Sequence, residues 1–277
     1  MRPLASARPS AGRSSGFAWA VVGLLIGALV ATVCYAPASW LADAVASATR
    51  QRVLLADARG TVWDGDAIAV LTAGPDSRDA ASLPGRLSWT LGLAGTDIEL
   101  RARHACCLNG TVVLRLHPGI GRYTATLVPP PGWVAQWPSA VLAGLGTPFN
   151  TLRLGGMVRL LSPGLTVESA QGRVGIAGSA EVELLHASSR LATLDELGSY
   201  RLTLSAAPKP GSGASRLQLA TEEGALILQG NGSWEPGGTL YFRGEARAAT
   251  PDDEAKLSNL LNIIGRRNGA RSIISIG

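Results

Sequence analysis

FAWAVVGLLIGALVATVCY, residues 17–35, decides how the rest of the chain is read. The run carries no charged side chain. At about 1.5 Å of rise per residue it is just long enough to cross a hydrocarbon core of about 30 Å as a helix. Only a helix serves there, because lipid offers nothing to unpaired backbone amides. Arg2, Arg8 and Arg13 precede the run without an acid. The positive-inside bias then holds the N-terminus in the cytoplasm and sends everything beyond Tyr35 across the membrane. A cleaved signal peptide is the competing reading, since Ala36-Pro37-Ala38 resembles a cleavage site. The apolar run, however, is longer than the usual core of such a peptide. The expectation is a basic tail over residues 1–16, a transmembrane helix over 17–36, a juxtamembrane segment over 37–50 and a β-rich body over 51–277, held on a leash. Trp40 falls where an aromatic belt is expected, and Trp19 marks the opposite interface.

Composition narrows the class of the body. Of the 25 basic residues three lie in the tail, leaving 22 against 20 acids, so the remainder is close to neutral. That balance argues against a nucleic-acid partner, which calls for a basic stripe with aromatics between. The 34 glycines and 16 prolines favour short strands and many turns over helices. Cys34 lies in the apolar run and reads as a small packed hydrophobe. Cys106 and Cys107 are adjacent. An oxidising compartment would permit a vicinal bridge between them, two free thiols are the other reading, and a redox or metal pair is the third.

From Arg52 onward the apolar period becomes two. Alternation recurs at residues 53–56, 67–71, 87–91, 98–103, 112–116 and 123–128, the pattern of strands with one wet and one dry face. Residues 74–84 read as a polar loop. Pro129-Pro130-Pro131-Gly132 breaks the series, and residues 133–145 read as a helix or an irregular crossover, a possible division near 129–150 between two half-sheets. Strands resume over 151–161, 165–171, 173–185, 201–206, 216–221, 225–230 and 238–248. Gly172, Gly175 and Gly178 suit bulges in a bent sheet. Residues 251–265 carry the one convincing soluble helix. Thr250 can cap it, Pro251 fits its first turn, and Asp252, Asp253 and Glu254 suit its positive end. Leu257, Leu260, Leu261 and Ile264 make its apolar stripe, Gly265 stops it, and Arg266 and Arg267 suit its negative end. Residues 272–276 read as a final strand. The fold class expected is all-β, mainly antiparallel, a curved or two-half sheet, with one N-terminal transmembrane helix and a short C-terminal helix.

The search for chemistry finds no catalytic, cofactor or metal residues to name. His104, His117 and His186 are scattered without ligand spacing. Neither a nucleophile elbow nor a phosphate loop is present. Asp64 and Asp66 flank a glycine and read as turn residues, as do Asp195-Glu196 and Glu222-Glu223. Glycine beside tryptophan recurs at Gly60-Thr-Val-Trp63-Asp-Gly65 and Gly230-Asn-Gly232-Ser-Trp234, and reads as a ring packed over a residue with no side chain.

The order of these motifs carries a resemblance. The anchor, then Pro37-x-x-Trp40, Gly60-Thr61-Val62-Trp63-x-Gly65 and Leu87-Ser88-Trp89, resembles protein N of the bacterial type II secretion system. So do Leu197-Gly198-Ser199-Tyr200, Thr221-x-x-Gly224-x-Leu226-x-Leu228-x-Gly230-x-Gly232-x-Trp234 and Leu260-Leu261-x-x-Ile264-Gly265-Arg266. The resemblance implies a non-catalytic, single-pass inner-membrane protein with a periplasmic β domain. Its partners would be other secretion subunits, the secretin and inner-membrane components, with no cofactor and no nucleic acid. The strand pattern is also similar to AsmA-like sheets, which leaves lipid contact open. An envelope lipid- or glycan-binding module is the alternative function.

Overall fold

The structure, a computed structural model, describes residues 14–170, 173–211, 213–235 and 239–277. Most of the basic tail expected over 1–16, together with Gly172 and Gly238, lies outside them. Helix α1 (Ser14–Cys34) is followed at once by α2 (Ala38–Ala48). The first run of strands is β1 (Val53–Gly60), β2 (Asp64–Thr72), β3 (Ala80–Ser82), β4 (Leu87–Ala94), β5 (Asp97–His104), β6 (Thr111–Gly119) and β7 (Arg122–Val128). A middle segment comprises β8 (Trp133–Pro138), a 3₁₀ turn (Ser139–Leu145) and the short α3 (Phe149–Leu152). The second run is β9 (Leu154–Ala170), β10 (Arg173–Ser189), β11 (Gly198–Ser205), β12 (Ser215–Glu223), β13 (Leu226–Trp234) and β14 (Leu240–Ala248). It closes with α4 (Pro251–Ile264), β15 (Arg266–Asn268) and β16 (Arg271–Ile276).

All these strands belong to one antiparallel sheet. Its hydrogen-bonded path is β1-β2-β4-β5-β6-β7-β9-β10-β11-β12-β13-β14-β16-β15, with β3 beside β2 and β8 beside β9. The segment after the prolines is therefore not a helical crossover at its start: Trp133–Pro138 pairs with the first half of β9, while β7 pairs with the second half. Of the two strands expected over 151–161 and 165–171, residues 151–152 belong to α3 and Gln171 lies outside the described residues. The two are one long strand, Leu154–Ala170, with a bulge at Ser162 to Gly164. Ser162 fastens it, donating to the Ser179 carbonyl at 2.6 Å and accepting the Gly164 amide at 3.2 Å. The shift in register keeps Leu165 and Val167 on the same face as Val158 and Leu160.

That face is apolar from end to end. In register across five strands stand Leu91, Leu100, Leu114, Leu127 and Leu165. On the same face a second row runs from Leu160, on the other side of the bulge, through Val182 and Leu202 to Leu219 across β9 to β12. The opposite face is charged. Arg201 reaches Glu183 at 3.0 Å, Glu222 at 3.3 Å and Glu181 at 3.6 Å, and Glu99 lies between Arg101 at 2.7 Å and Arg115 at 3.4 Å. Such surface pairs contribute little energy singly, but like charges in a slipped register would repel, so they help to fix the pairing.

Helical elements cover parts of the apolar face. Near the end of α1, Ala38 of α2 packs on Ala67 and Trp89. At the far end α4 lies on β14, β16 and the neighbouring strands. Its capping is as the sequence indicates: Thr250 accepts the Asp253 amide at 3.3 Å, with Pro251 in the first turn. Leu257, Leu260 and Leu261 are fully buried, each stabilising by about 1.5–3 kcal/mol, and Ile264 is half-buried. Arg266 and Arg267 lie beyond the last helical turn, in β15, and Arg267 pairs with Glu254 at 3.0 Å.

Candidate functional site

One neighbourhood joins the sheet to α1, and two others concentrate unusual chemistry. At the joint, α1 ends with carbonyls that its own helix leaves unpaired. The Trp63 indole N–H donates to one of them, Val33 O, at 2.7 Å. Val62 N–H donates to Ala36 O at 2.9 Å, and Pro37 bridges to Thr61. Trp89, buried, donates its indole N–H to Val62 O at 3.1 Å. Gly65 lies beneath Trp89: a Cβ there would stand 2.7 Å from the ring and 2.6 Å from Arg59 O. The ring over Gly65 is thus Trp89, not the adjacent Trp63, whose indole reaches back to the helix instead. The second motif differs in the same way. Gly230, Gly232 and Gly244 lie under Phe242, with Cβ positions 2.5 to 3.0 Å from its ring, and not under Trp234.

Asp64 and Asp66, expected in a turn, instead open strand β2, just as Glu222 and Glu223 end strand β12, because pairing with β4 and with β11 carries those strands through them. Asp64 accepts the Thr61 amide through its backbone carbonyl. Arg86 binds Asp66 through Nε and Asp57 through Nη1 at 2.8 Å. The hydrogen bond from Arg86, then that from Arg59, holds the Asp57 carboxyl below its ordinary pKa, and Asp66 in turn holds Arg86 above its own.

The second neighbourhood is the connection from β5 to β6. Cys106 and Cys107 are joined in a vicinal disulfide, so one of the alternatives left open by the sequence is realised. His104, buried beside them, accepts the Cys106 amide on Nδ1 at 3.3 Å. Burial lowers its pKa. His104, Cys106 and Cys107 form the one group in the described residues whose side chains are close enough to hold a metal ion, but with the sulfurs bonded to each other neither offers a thiolate. The other histidines stand apart: His117 pairs with Asp97 at 2.7 Å and His186 with Glu196 at 2.8 Å, both exposed.

The third neighbourhood lies on the apolar face between α4 and the middle segment. Here the covering elements leave a cleft of about 470 Å³. Trp137, Phe149, Val182, Leu202, Leu219 and Ile274 line it, with further leucines and no charged residue. Tyr200 also contributes its ring, but its hydroxyl donates to Leu226 O at 3.0 Å, and burial raises its pKa. No motif announced this cleft, because its walls come from strands and helices widely separated in sequence. The only signal was the alternation itself.

Comparison with known proteins bears on this architecture directly. A family model described as type II secretion system (T2SS), protein N, matches residues 51–274. The chain belongs to that family. It is therefore a component of a type II secretion system, a family of protein-transport machinery. The matched region starts just before β1 and runs into β16, so the match to the type II secretion protein N family covers the sheet of this chain. No curated protein and no solved structure matched the chain. Outside the matched region α1 is, among the described residues, the one helix long and apolar enough to cross a membrane.

Proposed function

We propose that this protein is a non-catalytic, inner-membrane-anchored subunit of the type II secretion machinery, contributing to export of folded proteins from the periplasm across the outer membrane. In this reading residues 1–16 are a cytoplasmic tail, 17–36 cross the bilayer, 37–50 lie at the membrane surface and 51–277 form the periplasmic domain. The observation that carries it is the joint at Trp63 and Val33: the sheet is hydrogen-bonded to the end of an apolar helix that is exposed from Phe17 to Cys34. Tyr35 and Trp40, both largely exposed, flank that end as interfacial aromatics do. Partner subunits, the secretin or other inner-membrane components, would dock on a strand edge. Anchoring raises the local concentration of such partners, so weak contacts suffice. The edge at β1 is blunted by a bulge between Ala56 and Arg59, whereas residues 274–276 of β16 extend beyond the short β15.

Protease added to intact spheroplasts should digest the sheet domain, and mild detergent should co-purify the protein with the secretin. Deletion should stop exoprotein release. A sheet protected from the protease, or a protein that emerges alone and whose loss leaves release untouched, overturns the reading.

A further inference from the structure

Beside the apolar cleft lies a second, polar one of about 820 Å³. Arg78, Arg153 and Arg190 line it, along with Asp79 and Asp195. Asp79 is occupied by the Asn150 amide at 2.9 Å. None of the three arginines, all exposed, has a carboxylate within ion-pair distance among the described residues. The two clefts share Leu154 as a wall. Between them, α3 turns Phe149 and Leu152 to the apolar side and Asn150 to the polar side, with Arg153 next in the chain.

We propose that the paired clefts bind an anionic amphiphile, its aliphatic chain in the apolar cleft and its carboxylate or phosphate at Arg78, Arg153 and Arg190. The wall chemistry selects the occupant. A peptide segment would bring amides that need partners, and the apolar cleft supplies none. A hydrocarbon chain needs none, and the volume falls in the ordinary range of ligand sites, about 300–1,000 Å³. Guanidinium groups suit carboxylate or phosphate oxygens through paired hydrogen bonds. The leucine row from Leu91 to Leu165 lies on the same face, and Leu160, which packs in the cluster with Leu114 and Leu165, is the cross-strand partner of the cleft residue Val182. The proposal concerns a ligand and stands whether or not the sheet edge takes a partner strand.

Trp137 supplies the readout. It lines the cleft, and its indole nitrogen is buried without a hydrogen-bond partner, so Trp137→Phe removes the reporter at little structural cost. The full chain and W137F, in a non-ionic detergent, are titrated with dibromostearate, its uncharged methyl ester, and phosphatidylglycerol with brominated chains. Bromine quenches indole on contact, and the difference between the two proteins isolates Trp137 from tryptophans near the micelle. Saturable, Trp137-dependent quenching by an anionic probe is expected, with the ester binding about tenfold more weakly. Response to phosphatidylglycerol identifies a phospholipid, and response to the acid alone identifies a free fatty acid. Two changes should abolish the preference or the binding. Replacing Arg78, Arg153 and Arg190 together by Gln, all on the surface, should reduce the acid to the level of the ester. Leu202→Phe with Leu219→Phe should fill the cleft and remove quenching. Equal quenching of the full chain and W137F by every probe overturns the proposal, as does an ester that binds as tightly as the acid.

Discussion

Trp63 and Val33 are thirty residues apart, yet the indole of one caps the last turn of the helix that holds the other, N–H to carbonyl at 2.7 Å. A side chain of the first β-turn thus performs what a local capping residue ordinarily does at a helix C-terminus. The sheet and the apolar helix consequently meet at a fixed joint, reinforced by Val62 on Ala36 and by the Trp89 indole on Val62.

Trp63→Phe keeps the ring and removes the donor. The joint should weaken by about 1 kcal/mol, the usual net value of one neutral hydrogen bond. Amide exchange measured on the detergent-solubilised chain should rise at Val62 while amides of β13 stay protected. Unchanged exchange at Val62 would show that the indole contributes nothing.

Gly65→Ala places a methyl group against Trp89, Arg59 O and Thr61 O, at 2.7, 2.6 and 2.9 Å. Two of these neighbours are backbone and cannot swing away. Destabilisation of about 1–3 kcal/mol is expected, read as a lower thermal midpoint. Gly92→Ala, where a Cβ meets nothing within 4 Å, is the matched control.

Leu257→Ala should cost about 2–5 kcal/mol, because the side chain is fully buried and α4 has no room to settle into the void. Denaturant unfolding would measure it. Exposed Ile263, on the opposite side of the same helix, should tolerate the same change with little loss.

Acid should weaken the fold through His104 before the carboxylates titrate. Burial depresses its pKa in the folded chain. The unfolded chain, with an ordinary histidine value near about 6.5, takes up a proton first. The contribution is therefore intact above that value and declines as pH falls below it. Thermal midpoints taken from pH 7.5 down to about 5.5 should drop, and His104→Gln should flatten that part of the profile. An identical profile for both proteins would remove His104 from the account.

Much of this architecture could be read from residues alone, where the determinants were local. The uncharged run 17–35, the two-residue alternation and the Thr250-Pro251 cap each act within a few positions, and each is found as expected. What escaped depended on register. Which ring covers Gly65 or Gly230 is settled by cross-strand neighbours, Trp89 and Phe242, that sequence adjacency cannot reveal. β8 escaped because WVAQWP lacks alternation and becomes a strand only by pairing with β9. The three residues of β3, inside the polar loop expected over 74–84, are too few to carry a pattern. The cleft escaped most completely: Phe149, Leu202 and Ile274 are unremarkable singly and meet only through the tertiary fold.

The stiff connection at Val33 has a mechanical consequence. The path from β1 to β15 runs through fourteen strands, and its thirteen spacings of about 4.8 Å make about 60 Å along the sheet. Were the linkage loose, the domain would swing like a pendulum and forget the attitude of its helix. With α1 crossing a bilayer as proposed, the clamped molecule would act as a lever, and a tilt of about 5° would displace a point at that distance by about 5 Å. Local thickness of the lipid, which influences helix tilt, would in that arrangement be converted into the position of a surface far from the lipid.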